Sequence, residues 1–239
     1  MFKRIALICF ILLIIGLQAM QAQILIGLLF GEKLNNEKLE FGLNLSGNFS
    51  QLTDVQSEKY IRNFGMGLFL DYKMHPKWVV QTSFFFKAPK GAANLEKDDL
   101  LFHVEDSLMG GVKAERRINY FDLPIMLSFR PKPFIGIAIG FNIGMLAMSE
   151  DYFEKESNNG TLIFDRGTRD FLSLFEAGVN AGLTWHYNGD PGVQIRVNYL
   201  YGLTNVYKES TGKEGFNRVI QLSVLVPIKF GVGSKKEDG

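Results

Sequence analysis

The chain has 239 residues, with 26 basic and 25 acidic side chains and a net charge of +1. This balance provides no electrostatic attraction to nucleic acid, so we expect no nucleic-acid partner. Glycine (25) and phenylalanine (21) are both abundant, whereas a mean hydropathy of +0.04 is too low for a protein of several membrane-spanning helices. The composition therefore favours strands in which apolar and polar side chains alternate.

The N-terminal residues have the three regions of a secretory signal. Two basic residues precede an apolar run, and the more polar QAMQAQ follows it. Residues 1–22 are therefore predicted to be a signal peptide, and residues 23–38 an N-terminal periplasmic segment. The only cysteine, Cys9, lies in the signal, so the mature chain would contain neither a disulfide nor a cysteine-ligated metal. The alternative is an uncleaved anchor helix that continues through residues 24–30.

Eight later segments alternate between large apolar and small or polar residues. In residues 134–146, FIGIAIGFNIGML, the four-residue spacing of the glycines also fits a helix-pairing motif. As a helix, however, the apolar stretch would span about 22 Å of a hydrocarbon core of about 30 Å, whereas about 9 to 11 strand residues suffice to cross a bilayer. The period of two predicts strands over residues 39–49, 64–74, 78–88, 119–130, 134–146, 174–187, 193–202 and 219–230.

Short and long connections alternate along the chain. MHPK, RPKP and YNGDPG form short turns between the second and third, fourth and fifth, and sixth and seventh segments. The other connections are long and polar: roughly residues 50–63, 89–117, 149–172 and 203–217. Outer-membrane barrels have this pattern, with tight periplasmic turns and longer external loops, which places both termini in the periplasm. The aromatic residues beside the short turns are expected to form an interfacial girdle: Tyr72, Trp78, Phe129, Trp185 and Tyr187.

The two faces of these strands differ in polarity. One face consists of Ile, Leu, Val and Phe, and is predicted to contact lipid; the other is predicted to line a polar interior. The alternative is a soluble secreted or periplasmic eight-stranded barrel, which would turn its apolar face inward around a small apolar ligand. The charged residues of the predicted interior face are Asp71, Lys73, Lys87, Asp122, Arg130, Glu176, Arg196 and Lys229.

The predicted fold is therefore all-β: an eight-stranded antiparallel up-and-down transmembrane β-barrel over residues 39–230. A polar C-terminal tail, residues 231–239, follows it. The predicted location is the outer membrane of a Gram-negative bacterium, because an exported chain with transmembrane strands belongs there.

Several strands also resemble a known family. INYFDLPIML, YGLTNV and the closing RVIQLSVLVPIKF look like strands of the PorT-like outer-membrane β-barrel family of Gram-negative bacteria. A last strand that ends in Phe230 is similar to the signal read by the barrel-assembly machinery, so the resemblance implies that machinery and outer-membrane lipid as partners. Because the founding member is associated with type IX secretion, the resemblance also implies an accessory role in protein secretion.

The interior of an eight-stranded barrel has room for side chains and little else, so its charges are expected to neutralise one another. The alternative is that Glu176, His186 and Arg196, on neighbouring strands, form a cluster that transfers protons or binds a ligand. The candidate polar cluster of the lumen comprises Asp122, Arg130, Glu176, His186 and Arg196.

No motif in the sequence predicts catalysis. The loop around His103 contains Asp99, Glu105, Asp106 and Ser107, but without a spacing such as G-x-S-x-G, and the three histidines lack the spacing of metal ligands. We therefore predict no catalytic residue, cofactor or metal site. The expected role is structural or interactive, with an extracellular or periplasmic protein partner bound through loops such as 89–117 and 149–172.

Overall fold

The computed structural model describes residues 37–55, 60–103, 111–157, 160–187 and 192–228. These residues form nine strands: β1 (Leu39–Leu52), β2 (Ile61–His75), β3 (Trp78–Ala93), β4 (Val112–Lys132), β5 (Ile135–Ser157), β6 (Gly160–Gly167), β7 (Phe175–His186), β8 (Gln194–Gly202) and β9 (Asn217–Pro227). Within these ranges, no helix is long and apolar enough to cross a membrane. The predicted signal peptide, residues 23–36, Lys229, Phe230 and the C-terminal tail lie outside the described residues.

Eight of the strands close into a ring. Within the ring, β1 to β5 pair in chain order, β5 then pairs with β7, β7 with β8, and β8 with β9. The ring closes through an antiparallel ladder between β1 and β9, from Gly42–Pro227 to Leu52–Asn217. The predicted eight-stranded antiparallel barrel is therefore confirmed.

The remaining strand, β6, lies where the sequence predicted only a long loop over residues 149–172, and that part of the prediction was wrong. β6 pairs with the outer end of β5, from Glu150–Gly167 to Ser157–Gly160. Together with the outer ends of β4 and β5 it forms a three-stranded sheet beyond the ring, called the projecting sheet below. In β6 the apolar residues Leu162, Ile163 and Phe164 are consecutive, so a period of two cannot be read there.

The ends of the barrel differ as the connections predicted. The turns between β2 and β3 and between β4 and β5 each contain two residues, and they lie at the same end as the β7–β8 turn. The aromatic residues of this end face outward, with Trp78 against Phe129 (ring centroids 5.0 Å apart) and Trp185 against Tyr187 (5.9 Å). Such a belt is typical of a membrane interface.

Along the strands of the ring, apolar side chains face outward and most inward side chains are polar or small, with buried exceptions such as Phe69 and Phe85. In β5, Ile139 and Phe141 are each 68% exposed, whereas Ala138 and Asn142 are each 3% exposed. A soluble barrel would have the opposite arrangement. The small inward residues of β5 leave space for charged neighbours: a Cβ added at Gly144 would lie 2.5 Å from Asp122 Oδ1 and 3.4 Å from Glu176 Oε2.

A bulge interrupts this alternation in β3. The register with β4 shifts between Phe85 and Ala88, and both Phe86 and Lys87 are exposed. Beyond the bulge the inward position falls on Lys90, which is 2% exposed. The prediction that Lys87 faces the lumen was therefore wrong, because one extra residue reverses the faces of everything that follows in a strand.

Candidate functional site

Mostly polar side chains, with a few apolar ones such as Phe85 and Leu200, fill the barrel interior. Asn44 Nδ2 donates to Ser83 Oγ (3.1 Å), and Gln81 Nε2 donates across the lumen to Thr184 Oγ1 (3.3 Å). The cavities between these side chains have volumes of about 20 and 10 Å³, which is close to the ~10–15 Å³ that one water molecule needs. A lumen filled in this way by the described residues leaves no aqueous channel.

The first charged group lies toward the periplasmic end and has Asp71 at its centre. Its carboxylate accepts a hydrogen bond from Arg196 and one from Gln194 Nε2 (3.1 Å), and Arg130 Nη2 lies 3.9 Å from it. Glu40, opposite Asp71 in the β1–β2 ladder, is also fully buried. Two carboxylates therefore balance two guanidinium groups, as buried charges require.

The second charged group lies toward the extracellular end around Lys90. The Lys90 ammonium is 2.9 Å from Asp122 Oδ2 and 2.5 Å from Glu176 Oε2. Each carboxylate also accepts a hydrogen bond from a side-chain amide: Asn142 Nδ2 donates to Asp122 Oδ1 (3.2 Å), and Asn217 Nδ2 donates to Glu176 Oε1 (2.8 Å). The excess negative charge is thus spread over hydrogen bonds from neutral donors.

The five predicted lumen residues are all buried, but only four of them belong to these two groups. Asp122 and Glu176 belong to the group around Lys90, and Arg130 and Arg196 to the group around Asp71. His186 lies at the periplasmic end of β7, opposite Gln194. His186 lies ten positions after Glu176 along β7, which is about 33 Å at ~3.3 Å per residue. The structure therefore does not bring Glu176, His186 and Arg196 together into one cluster.

Lys90 was not among the predicted lumen residues, because the sequence pattern placed it in the loop 89–117. The run FFFKAPKG contains the information that was needed. Three consecutive phenylalanines break the period of two, and proline inside a strand favours a bulge. A bulge at this point would have exchanged Lys87 for Lys90 on the inner face.

An apolar cap of loop residues covers the extracellular mouth. It includes Leu52, Leu95, Phe153, Leu172 and Val206, all nearly or fully buried. These residues come from four different extracellular connections or strand ends. The cap therefore packs the loops against one another directly above the polar lumen.

One polar network crosses the cap. Arg116 makes two hydrogen bonds of 2.7 Å to the Asp151 carboxylate, and its Nη1 donates to the Tyr207 hydroxyl (2.8 Å). The Tyr207 hydroxyl in turn donates to Asp54 Oδ2 (2.6 Å). Burial raises the pKa of the Tyr207 phenol and the pKa of the Asp54 carboxyl above their ordinary values. The network fixes the β8–β9 connection to β4 and to the β1–β2 connection.

The structure describes only part of the loop that contains His103, Asp99, Glu105, Asp106 and Ser107. Asp99 accepts the backbone N–H of Glu96 in a single 3-10 turn, which is a structural role, and Glu105, Asp106 and Ser107 lie outside the described residues. Among the residues that the structure does describe, no group of His, Cys, Asp and Glu could hold a metal ion.

A closed ring of eight antiparallel strands, with an apolar outer face, a polar interior and an aromatic girdle, defines a transmembrane β-barrel. The family model described as "Outer membrane protein beta-barrel domain" matches residues 21–208 of the chain. The chain belongs to that family, and it is an integral protein of the outer membrane of a Gram-negative bacterium.

Several solved outer-membrane proteins are similar to this chain. Ail, the attachment invasion locus protein of Yersinia pestis, in complex with the heparin analogue sucrose octasulfate, is 15% identical; the match covers 80% of this chain and 99% of Ail, with a TM-score of 0.42. Neisserial surface protein A is 12% identical over 80% of this chain and 100% of its own, with a TM-score of 0.37. The N-terminal β-barrel domain of Pseudomonas aeruginosa OprF is 11% identical over 78% and 97%, with a TM-score of 0.29. None of the curated proteins matches the chain.

Proposed function

We propose that this barrel is a non-catalytic interaction protein that binds a protein partner at the cell surface through β6. The observation that carries the proposal is the free edge of β6. One edge pairs with β5, and no strand among the described residues pairs with the other. An unpaired edge presents a row of backbone donors and acceptors to which an extended segment of another protein can add as a further strand.

The side chains of β6 support the same role. Leu162 is 60% exposed and Phe164 is 41% exposed, and both lie on the same face of the strand. Phe164 is held in place by Phe153, whose ring is stacked on it at 4.6 Å, and Arg166 lies over the Phe102 ring at 4.1 Å. A preorganised apolar face beside a free edge supplies both side-chain and backbone contacts to a partner.

The interior supports neither transport nor catalysis. Apart from His186, the buried charged side chains of the lumen belong to the two charged groups, and the apolar cap separates them from the cell surface. A substrate would have to displace both the cap and the buried ion pairs to reach them, which would leave buried charges unpaired. The outer surface is therefore the favoured place of function.

The test is site-specific photo-cross-linking on intact cells. A photo-reactive residue at position 162 should give a discrete protein adduct, and the same residue at position 139, on the lipid face, should give none. Phe164→Lys should reduce the adduct at position 162 strongly, and heat-modifiable gel migration should stay unchanged because β6 is outside the ring. Equal adducts from positions 162 and 139, or an adduct unaffected by Phe164→Lys, would contradict the proposal.

An accessory role in protein secretion is a second candidate. It is supported by the resemblance of INYFDLPIML and YGLTNV to the PorT-like family. Deletion of the gene, followed by proteomics of the culture medium, tests this role. The loss of a defined set of secreted proteins is expected, and an unaltered set of secreted proteins would exclude it. Membrane insertion by the barrel-assembly machinery is part of both proposals.

A further inference from the structure

The barrel wall opens between the outer ends of β2 and β3. Their ladder ends at Met66–Lys87, although β2 extends outward to Ile61 and β3 to Ala93. If β3 stayed in the wall there, two strand spacings of about 4.8 Å would separate it from β1. Instead, Asn48 Nδ2 of β1 donates to the Pro89 carbonyl of β3 at 3.2 Å, and Ser50 Oγ of β1 lies 3.4 Å from the Gly91 carbonyl. Beyond its bulge, β3 therefore bends inward.

This bend leaves a cleft of about 440 Å³, called the wall notch below. Its lining includes Phe64 of β2, Phe86 and Lys87 of β3, Arg117 of β4, and Met148 and Glu150 of β5. Phe64 is 52% exposed, Phe86 38% and Met148 56%. Because the outer faces of these strands bear these side chains, the notch opens sideways toward lipid and not toward the lumen.

The wall notch lies where the outer face changes from apolar to charged. On β4 the outward residues are apolar up to Phe121 and polar from Asn119 to Lys113, and on β5 the change falls between Met148 and Glu150. In a membrane-spanning barrel this boundary is the level of the outer-leaflet headgroups.

Two cations line the wall notch against one carboxylate, that of Glu150. Lys87 is exposed, and its ammonium makes no hydrogen bond or ion pair with the residues that the structure describes. Arg117 pairs with partly exposed Glu115 (3.0 Å), and its guanidinium carbon lies over the Tyr152 ring, 3.9 Å from the ring centroid. Stacking holds the guanidinium in place, and the Glu115 pair leaves its Nη1 donors for another acceptor.

We propose that the wall notch binds an outer-leaflet lipid that carries a phosphate headgroup. Lys87 and Arg117 contact the phosphate, and Phe64, Phe86 and Met148 contact its acyl chains. The two cations supply the charge that a phosphate selects, and the exposed apolar side chains that line the same notch provide contacts for the acyl chains.

The test is native mass spectrometry of the purified barrel in neutral detergent, titrated with phosphatidic acid, with diacylglycerol of the same acyl chains, or with inorganic phosphate. The wild type should retain one phosphatidic acid in preference to diacylglycerol. Lys87→Gln should weaken this binding at least about tenfold, which corresponds to about 1.4 kcal/mol, because it removes a charge-assisted hydrogen bond to the phosphate. Arg117→Gln should weaken it by a similar factor.

Lys132→Gln is the matched control, because Lys132 also lies beside an exposed aromatic ring, Phe134 at 5.7 Å, but at the periplasmic end. It should leave phosphatidic acid binding unchanged. Equal retention by the wild type and Lys87→Gln, or an equal loss in Lys132→Gln, would overturn the proposal. If inorganic phosphate at equal concentration displaced phosphatidic acid, the notch would be a site for free phosphate and not for lipid, and the proposal would also be overturned. Heat-modifiable migration checks that each variant is folded.

Discussion

Replacing Lys90 by methionine should destabilise the barrel strongly, whereas the same change at Lys87 should not. Lys90 and Glu176 are 2% and 1% exposed, and Asp122 is 7% exposed at its side chain. Lys90→Met would leave two buried carboxylates without a cation, and breaking a buried ion pair in this way costs about 3–5 kcal/mol. Lys87 is exposed and three residues away, so Lys87→Met should change the free energy of unfolding by less than about 0.5 kcal/mol.

The assay is urea unfolding in neutral detergent micelles, where no anionic headgroup is present. Both tryptophans of the chain, Trp78 and Trp185, lie in the periplasmic girdle and report global unfolding by fluorescence. Glu176→Gln, added to Lys90→Met, should recover part of the loss, because it removes one of the two unpaired carboxylates. A cost at Lys87 that equals or exceeds the cost at Lys90 would refute the bulge and the reversal of faces beyond it.

Four further predictions test the outer face, the cap and the lumen. Ile139→Arg puts a cation on the lipid face of β5 and should cost about 2–4 kcal/mol, seen as a lower yield of the heat-modifiable folded band, whereas Ala138→Ser on the inner face should not. Tyr207→Phe removes two hydrogen bonds of the cap and should speed amide hydrogen exchange in the connection after β8, with a cost of about 1–3 kcal/mol. Burial raises the pKa of the Asp54 carboxyl in the folded protein. The protonated carboxyl therefore stabilises the fold fully below its ordinary pKa, and this stabilisation is lost as the pH rises through the raised pKa. Asp54→Asn should remove this part of the pH dependence of amide hydrogen exchange in the cap, and an unchanged pH profile would contradict the prediction. In planar bilayers the wild type should show no stable conductance steps, and a reproducible open level would contradict the filled lumen.

The ring of strands could be predicted from the sequence because each wall strand contacts two different environments. Lipid on one side and packed polar groups on the other impose a period of two, which residues 134–146 display without interruption. The turns were equally predictable, since MHPK and RPKP supply the residues that tight turns need. The structure confirms the two faces of β5 over these residues, although β5 itself continues beyond them to Ser157.

The extracellular part was less predictable, because strands there no longer separate lipid from lumen. β6 is exposed along its whole length, so nothing in its environment enforces alternation of its side chains. The pairing of Lys90 with Glu176 depends on the bulge at Phe86–Lys87, which exchanges the faces of β3 by a single residue. Lys90 and Glu176 are also 86 positions apart in the sequence, so no local sequence pattern connects them.

The projecting sheet is the part of the molecule that the barrel itself does not require. The ring closes without β6, and the ladder of β6 with β5 is its one pairing among the described residues. A free edge beside exposed Leu162 and Phe164 invites unwanted association, a hazard that proteins usually reduce by shortening, charging or covering the edge. A partner strand that covers this edge would satisfy its free backbone groups and bury both side chains. Among the described strands, β6 is exposed along its whole length, and the addition of a partner strand would therefore stabilise it.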